Sequence, residues 1–227
     1  MNREMTVEAL YDLSHTAAAP LLAAVTYPWE ALPRIKDFIR QTGATLPAEE
    51  YIAPKPGVWI HKSAAVAPSA YLGEDIIIYP GAEIRHCAFL RGPAIVGSGA
   101  VVGNSTELKN VILFDKVQVP HYNYVGDSIL GFRAHMGAGS ITSNVKSDSS
   151  LTAVSCRDAD GTLRRIDTGL KKFGAMLGDM VEVGCNTVLN PATVVGKNSN
   201  IYPLSSVRGF IPAGSIYKRA GEIVAKN

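Results

Sequence analysis

The chain has 227 residues, 22 of them basic and 20 acidic, and a formal charge of +2, which excludes the basic excess of a nucleic-acid binder. At 47% hydrophobic and 19% charged, it has the apolar mass for a sizeable core and too little charge for a disordered chain. No apolar run approaches the roughly 18 residues of a membrane helix. Met1 to Glu8 carries charge where a signal peptide needs an apolar stretch, so a soluble, cytoplasmic protein with no membrane partner is expected. Cys87, Cys156 and Cys185 are odd in number and far apart, which fits neither a disulfide framework nor a zinc knuckle; reduced thiols are expected.

Residues 1–57 show helical spacing, clearest in Trp29, Leu32, Ile35, Phe38 and Ile39, with Gly43 as the expected C-cap. This segment is expected to cover one end of the coil formed by the rest of the chain. From residue 58 the pattern changes. Ile60, Val66, Leu72, Ile78, Ile84, Leu90, Val96, Val102, Leu108 and Phe114 fall at every sixth position, and all are apolar. In one fixed frame such a run has a chance probability on the order of a few in ten thousand. The side chain four places after each is usually small, as in Ala64, Ala70, Ala82, Ala88, Ala94, Ala100 and Thr106. Six is a multiple of the strand period and not of 3.6, so each hexad reads as a short strand plus a corner. A hexad cannot bury its own apolar face, so hexads must stack, and three of them make a triangular coil of about 18 residues. An antiparallel sandwich would show hairpin turns without a strict six-residue frame.

Residues one coil apart lie roughly 4.8 Å apart along the axis. Arg91 and Lys109 form such a pair on one face. Two stacked cations repel unless an anion lies between them, so the pair is either a phosphate site or an outward pair neutralised by Glu107 or Glu83. The frame then slips: its continuation puts Pro120, Gly126 and Phe132 inward, but the apolar pattern restarts two residues early at Leu130, Met136 and Thr142. The slipped stretch Pro120-His121-Tyr122-Asn123-Tyr124-Val125-Gly126-Asp127 contains His121, an imidazole suited to accepting a proton at neutral pH. Residues 145–176 interrupt the repeat. Asp160-Gly161 reads as the turn of a protruding two-stranded arm, whose Arg164, Arg165, Lys171 and Lys172 either form a solvated face or reach over an anionic substrate or a neighbouring subunit. The repeat resumes in Leu177, Val183, Leu189, Val195, Ile201 and Val207 and runs to about residue 216, leaving a tail at 217–227.

The hexad pattern resembles the left-handed parallel β-helix of hexapeptide-repeat proteins. The run from Arg91 to Asn144, with VGNSTELKN, HYNYVGDSILG and HMGAGSITSN, resembles the C-terminal acetyltransferase domain of the bacterial bifunctional N-acetylglucosamine-1-phosphate uridyltransferase/glucosamine-1-phosphate acetyltransferase. The resemblance implies His121 as general base, Arg91 and Lys109 as phosphate ligands, Tyr124 as a sugar contact, and Asn144 near the transferred acetyl group. It implies acetyl-CoA as co-substrate, in a groove at Ala138, Cys185 and Pro203, and a homotrimer with the site between subunits. His135 stands where the family has a sugar-contacting asparagine, and the family's tight loop after Asn144 is replaced by the insertion. Cys185 replaces a usual serine and is either a groove residue or a small buried hydrophobe. Residues 1–57 contain only Gly43 and Gly57, so no glycine-rich nucleotide loop and no uridylyl transfer are expected. The expected reaction is acetyl transfer to the amine of a phosphorylated or nucleotide-linked amino sugar, with no metal and no nucleic acid. The alternative is an inactive β-helix serving as a binding or assembly module. A zinc carbonic anhydrase on the same coil needs a close histidine pair, which His61, His86, His121 and His135 do not supply.

Overall fold

The computed structural model describes residues 3–157 and 161–226. From Val58 onward the chain is a left-handed parallel β-helix with three faces. Face A runs through Val58–His61, Ile76–Ile78, Ala94–Val96, Ala175–Leu177, Thr193–Val195 and Phe210–Ile211. Face B runs through Ala65–Val66, Glu83–Ile84, Val101–Asn104, Gln118–His121, His135–Met136, Glu182–Val183 and Asn200–Ile201. Face C holds Tyr71–Leu72, Phe89–Leu90, Ile141–Thr142, Val188–Leu189 and Ser206–Val207. Two seven-residue strands, Glu107–Leu113 and Tyr124–Leu130, turn the corner from face C to face A without a break. The antiparallel strand Tyr51–Lys55 closes the first rung, and Glu222–Ala225 folds back on Ser215–Arg219 at the other end.

The hexad residues point inward as expected, and the register locates the frame slip. Leu90 and Val96 pair with Leu108 and Leu113, so a six-residue step becomes a five-residue one. Val125 and Leu130, which pair with Leu108 and Leu113, repeat the shortening one rung on. The two-residue slip is therefore two losses at the same C-to-A corner, at Asn110 and Asp127. Leu113, not Phe114, holds the hexad position. Phe114 is buried as well, against Tyr11 at 5.0 Å between ring centroids, which is why the apolar pattern of the sequence extends one residue too far. Asn110 and Asp127 sit at φ 57° and 48°, the left-handed region that short polar side chains tolerate best among non-glycine residues.

The N-terminal segment covers a side of the coil and not its end. Its helices include Val7–Leu10, Ala19–Leu22 and Ile35–Gly43, with a 3-10 turn at Pro28–Arg34. The helix Ile35–Gly43 lies against Ile76–Ile78, Ala94–Val96 and Glu107–Leu113. The physical reason is legible on face A. Every strand confined to face B or C keeps at least one exposed or half-buried position, but Ile76–Ile78, Ala94–Val96 and Ala175–Leu177 are buried at every residue, as strands packed on both sides must be. Their outward middle residues, together with Ile112 and Ile129 on the long strands, need a cover: Ile77, Ile95, Ile112, Ile129 and Met176 are all buried, and the helices supply it. Directional contacts fix the docking. Arg40 Nε donates to Asp75 Oδ1 at 2.6 Å, Tyr11 Oη to the Ile129 carbonyl at 3.3 Å, and the Asp12 amide to Asp179 Oδ2 at 2.7 Å. Gly43 is the last residue of its helix and not a left-handed cap. A Cβ there would lie 2.4 Å from the Trp59 ring, so close packing explains the glycine.

The insertion forms the expected two strands, Ala153–Arg157 and Leu163–Asp167, paired antiparallel, with Asp160 of the expected turn outside the described residues. The arm does not simply protrude. Val154 and Cys156 are buried and the first strand packs on Phe210–Ile211, so the arm lies back over the last rungs of face A. Arg165, Lys171 and Lys172 are exposed, as a solvated face requires.

Candidate active site

The expected site residues other than His135 fall on two neighbouring features, one edge and one face. The B-to-C edge is a column of residues joined rung to rung by backbone hydrogen bonds. The Tyr122 amide donates to the Asn104 carbonyl at 2.8 Å, Gly139 to His121 at 3.0 Å, Asn186 to Ala138 at 2.9 Å and Leu204 to Cys185 at 3.0 Å. His121, Ala138, Cys185 and Pro203 are thus successive steps on one edge, about 14 Å from first to last at the usual rung spacing. Glycines let the rungs close: a Cβ on Gly137 would lie 2.7 Å from the Cys185 nitrogen, and one on Gly184 2.4 Å from the Pro203 nitrogen. The His121 imidazole is exposed and carries no side-chain hydrogen bond or ion pair among the described residues, while its amide donates to Asn123 Oδ1 at 3.1 Å. Cys185 is exposed, so the buried-hydrophobe reading of it fails.

Face C holds the second group. Leu90 pairs with Leu108 and Lys109 with Gly126, which stacks Arg91 below Lys109 as the spacing predicts, with Glu107 beside Tyr124. Neither cation stands free. Arg91 Nη1 lies 2.9 Å from Glu107 Oε1, the partner foreseen in the alternative reading of this pair. Lys109 Nζ lies 2.9 and 2.8 Å from the two oxygens of Asp127. The bridges differ in kind. Arg91 is 49% exposed and an incoming anion reaches it directly, whereas Lys109 is 20% exposed against an Asp127 side chain at 4%. Asn144 joins the same group, with Nδ2 2.5 Å from Asp127 Oδ2 and 3.3 Å from Tyr124 Oη. Burial, helped by the Glu107 and Asp127 carboxylates, pushes the Tyr124 phenol above its ordinary value. It therefore stays protonated, accepts from Asn144, and has its own proton to give.

His135 is placed elsewhere. It begins the face B strand His135–Met136, pairs with Glu182 in register, and sets Nδ1 2.8 Å from Glu182 Oε2, on the far side of the His121 edge from Tyr124. Sequence reasoning missed the central position of Asp127 and the role of Asn110, whose Nδ2 lies 2.9 Å from Asp127 Oδ1. A signal was present: Asn110, Asp127 and Asn144 recur every 17 residues, the length of the shortened rung. Four cavities of the chain lie elsewhere, under the first helix, beside Arg40 and Asp75, on face B by His86, and between the arm and the last hairpin. None of these four includes His121, Arg91 or Lys109. No three His, Cys, Asp or Glu side chains converge as a metal site among the described residues, and no helix there is long and apolar enough to cross a membrane.

A family model described as the GMPPB C-terminal domain matches residues 74–201, which contain the whole cluster and all but Pro203 of the edge. The chain belongs to that family. Among curated relatives, a bifunctional protein GlmU of Methanococcus maripaludis is 27% identical over 179 residues, covering 78% of this chain and 42% of that protein. A bifunctional sugar-1-phosphate nucleotidylyltransferase/acetyltransferase of Sulfurisphaera tokodaii is 28% identical over 170 residues, 75% of this chain and 41% of that one. The resemblance read from the Arg91 to Asn144 motifs is thus found again over 78% and 75% of the chain, although the chain spans well under half the length of these two relatives. A similar solved structure is the acetyltransferase domain of PglB from Neisseria gonorrhoeae in complex with acetyl coenzyme A, with 17% identity over 81% of this chain and 62% of that one and a TM-score of 0.31. Strand register, not this low-scoring likeness, establishes the fold.

Proposed function

We propose that the chain moves an acetyl group from acetyl-CoA to the amine of a phosphorylated or nucleotide-linked amino sugar of the glucosamine-1-phosphate kind. The observation that carries this reading is the continuous edge His121–Ala138–Cys185–Pro203 beside the face C cluster of Arg91, Lys109, Tyr124 and Asn144. The thioester lies along the edge with its carbonyl near His121, and the acceptor lies over face C with its phosphate taking Arg91 from Glu107. His121 removes a proton as the amine nitrogen attacks. The new N–C bond forms, the C–S bond breaks, and the CoA sulfur leaves as a thiolate that takes up a proton. Positioning and base catalysis supply the rate, the latter worth about 10² to 10⁴. The backbone N–H at Ala138 is the candidate donor for the oxyanion, since both N–H bonds of Asn144 go to Asp127 and Tyr124. No step calls for a metal. A homotrimer in a cytoplasmic setting belongs to the same proposal, with a neighbouring subunit supplying the second wall of the edge.

One observation favours a second reading, an inactive binding or assembly module: both face C cations already have carboxylate partners. Thiol release from acetyl-CoA across a panel of amino sugar phosphates and nucleotide-linked amino sugars separates the two. Acetyl transfer that His121→Ala lowers by about 10² or more, with the melting temperature held, is expected. An unchanged rate in that variant removes His121 from the mechanism, and no product or CoA binding by the wild type leaves the module.

A further inference from the structure

We infer that Asp127, which none of the expected site roles includes, is the positioning residue of this site: its carboxylate sets the lysine that meets the acceptor phosphate and the asparagine that meets the acetyl group. The inference rests on the acyl-transfer reading of the same site. Asp127 stands at a left-handed corner, and its side chain is buried. One oxygen faces Lys109 Nζ at 2.9 Å and Asn110 Nδ2 at 2.9 Å, and the other faces Lys109 Nζ at 2.8 Å and Asn144 Nδ2 at 2.5 Å. The carboxylate and its donors span three successive rungs, so this one group fixes the relative height of side chains that the repeat alone leaves to rotation. Lysine and asparagine side chains lose several rotors when held, and a carboxylate shared among charged and amide donors is a strong way to hold them.

Two details show the position is built for this. The shortened corners at Asn110 and Asp127 occur on the two rungs that bring these side chains together. The carbonyl of Asp127 accepts the Gly174 amide at 2.8 Å, and the carbonyl of Asn144 accepts the Phe173 amide at 2.9 Å, so the returning end of the insertion clamps the backbone on both sides of the pair. A Cβ on Gly174 would lie 2.1 Å from the Gly126 carbonyl, which leaves that clamp no slack. Lys109 is thus presented to an anion with its ammonium already aimed, and Asn144 keeps its amide turned toward Tyr124.

Asp127→Asn is the test, because asparagine keeps the shape, keeps one oxygen acceptor and suits the left-handed corner. Three measurements are made on the whole chain: melting temperature, the Lys109 ammonium proton signal in ¹⁵N-edited NMR, and kcat and KM for glucosamine-1-phosphate by thiol release. The expected result is a slowly exchanging Lys109 ammonium in the wild type that is lost in the variant, with kcat lowered about 10- to 100-fold, the penalty of misplacing reacting groups by about an ångström. KM for the acceptor should not rise, since a negative charge has been removed beside the phosphate. Lys109→Gln should show the opposite split, a raised KM with kcat less affected. A kcat within twofold of the wild type in Asp127→Asn, or kcat and KM moving together in both variants, overturns the inference. Should Asp127→Asn fail to fold, a wild-type Lys109 ammonium that exchanges as fast as exposed lysines overturns it equally. A protected ammonium in a wild type that acetylates nothing in the panel is a different failure: the carboxylate network stands, and the acyl-transfer reading falls with the role assigned to Asp127.

Discussion

Ile112 discriminates between two accounts of the N-terminal segment. Its side chain leaves the coil on face A, yet it is fully buried, because the helix Ile35–Gly43 lies over this strand. Replacing it with alanine removes three carbons from a site walled by the coil on one side and helices on the other. The transfer loss is about 0.8 kcal/mol per carbon, or roughly 2.4 kcal/mol. A residual cavity adds to that, because a wall of strand backbone cannot collapse inward, so the expected loss is about 2–5 kcal/mol. Val188, an outward residue on face C that is only half-buried, is the control, and its alanine variant should change stability by about 0.5 kcal/mol or less. Urea unfolding followed by circular dichroism reads both, provided the denaturant slope is unchanged. An Ile112→Ala loss as small as that of Val188→Ala would mean that the helices do not cover face A in solution, and the side-on packing would have to be abandoned.

Two further outcomes are expected. Burial raises the Asp115 carboxyl above its ordinary value, against the pull of the Ser98 amide hydrogen bond. A carboxyl whose folded value is raised keeps its proton longer in the native state, so wild-type stability falls as pH rises from about 3.8 through the folded value. Asp115→Asn has no such window and should gain on the wild type across it in urea midpoints; a constant difference between pH 3 and pH 7 would contradict this. Cys87 and Cys185 are exposed and Cys156 is buried, so a thiol reagent should label two groups in the native protein and the third only after unfolding. Acetyl-CoA should slow the labelling of Cys185 and leave Cys87 unchanged; equal protection of both, or of neither, would detach Cys185 from the proposed groove.

The coil was readable because each rung puts one large residue inward at a fixed interval, so the repeat is written directly in the order of side chains. What covers the coil was also written there, in the fully apolar triplets Ile76-Ile77-Ile78 and Ala94-Ile95-Val96, but a six-residue count looks at one position per strand and passes over the middle one. Spacing foresaw the stacking of Arg91 on Lys109, yet it could not foresee their partners, since the carboxylates of Glu107 and Asp127 come from neighbouring rungs and are chosen by side-chain rotation. Arg91 had Glu107 among its named alternatives; Lys109 had no Asp127. The groove assignment of Ala138, Cys185 and Pro203 came from resemblance alone, and backbone pairing shows that the three share one edge.

The frame slip and the site coincide for a reason. A corner of normal length needs a residue in the left-handed region, and glycine or a small polar side chain meets that need anywhere in the coil. Shortening the corner by one residue merges two short strands into the unbroken Glu107–Leu113 and Tyr124–Leu130, with Asn110 half-buried and Asp127 buried at the two corners. Asp127 is buried at such a corner, where a carboxylate without partners would be severely destabilising. It persists because Lys109, Asn110 and Asn144 are within reach on the rungs either side. The donors on the adjacent rungs are therefore what make a buried carboxylate tenable at this corner, and that carboxylate in turn fixes the groups on which the proposed chemistry depends.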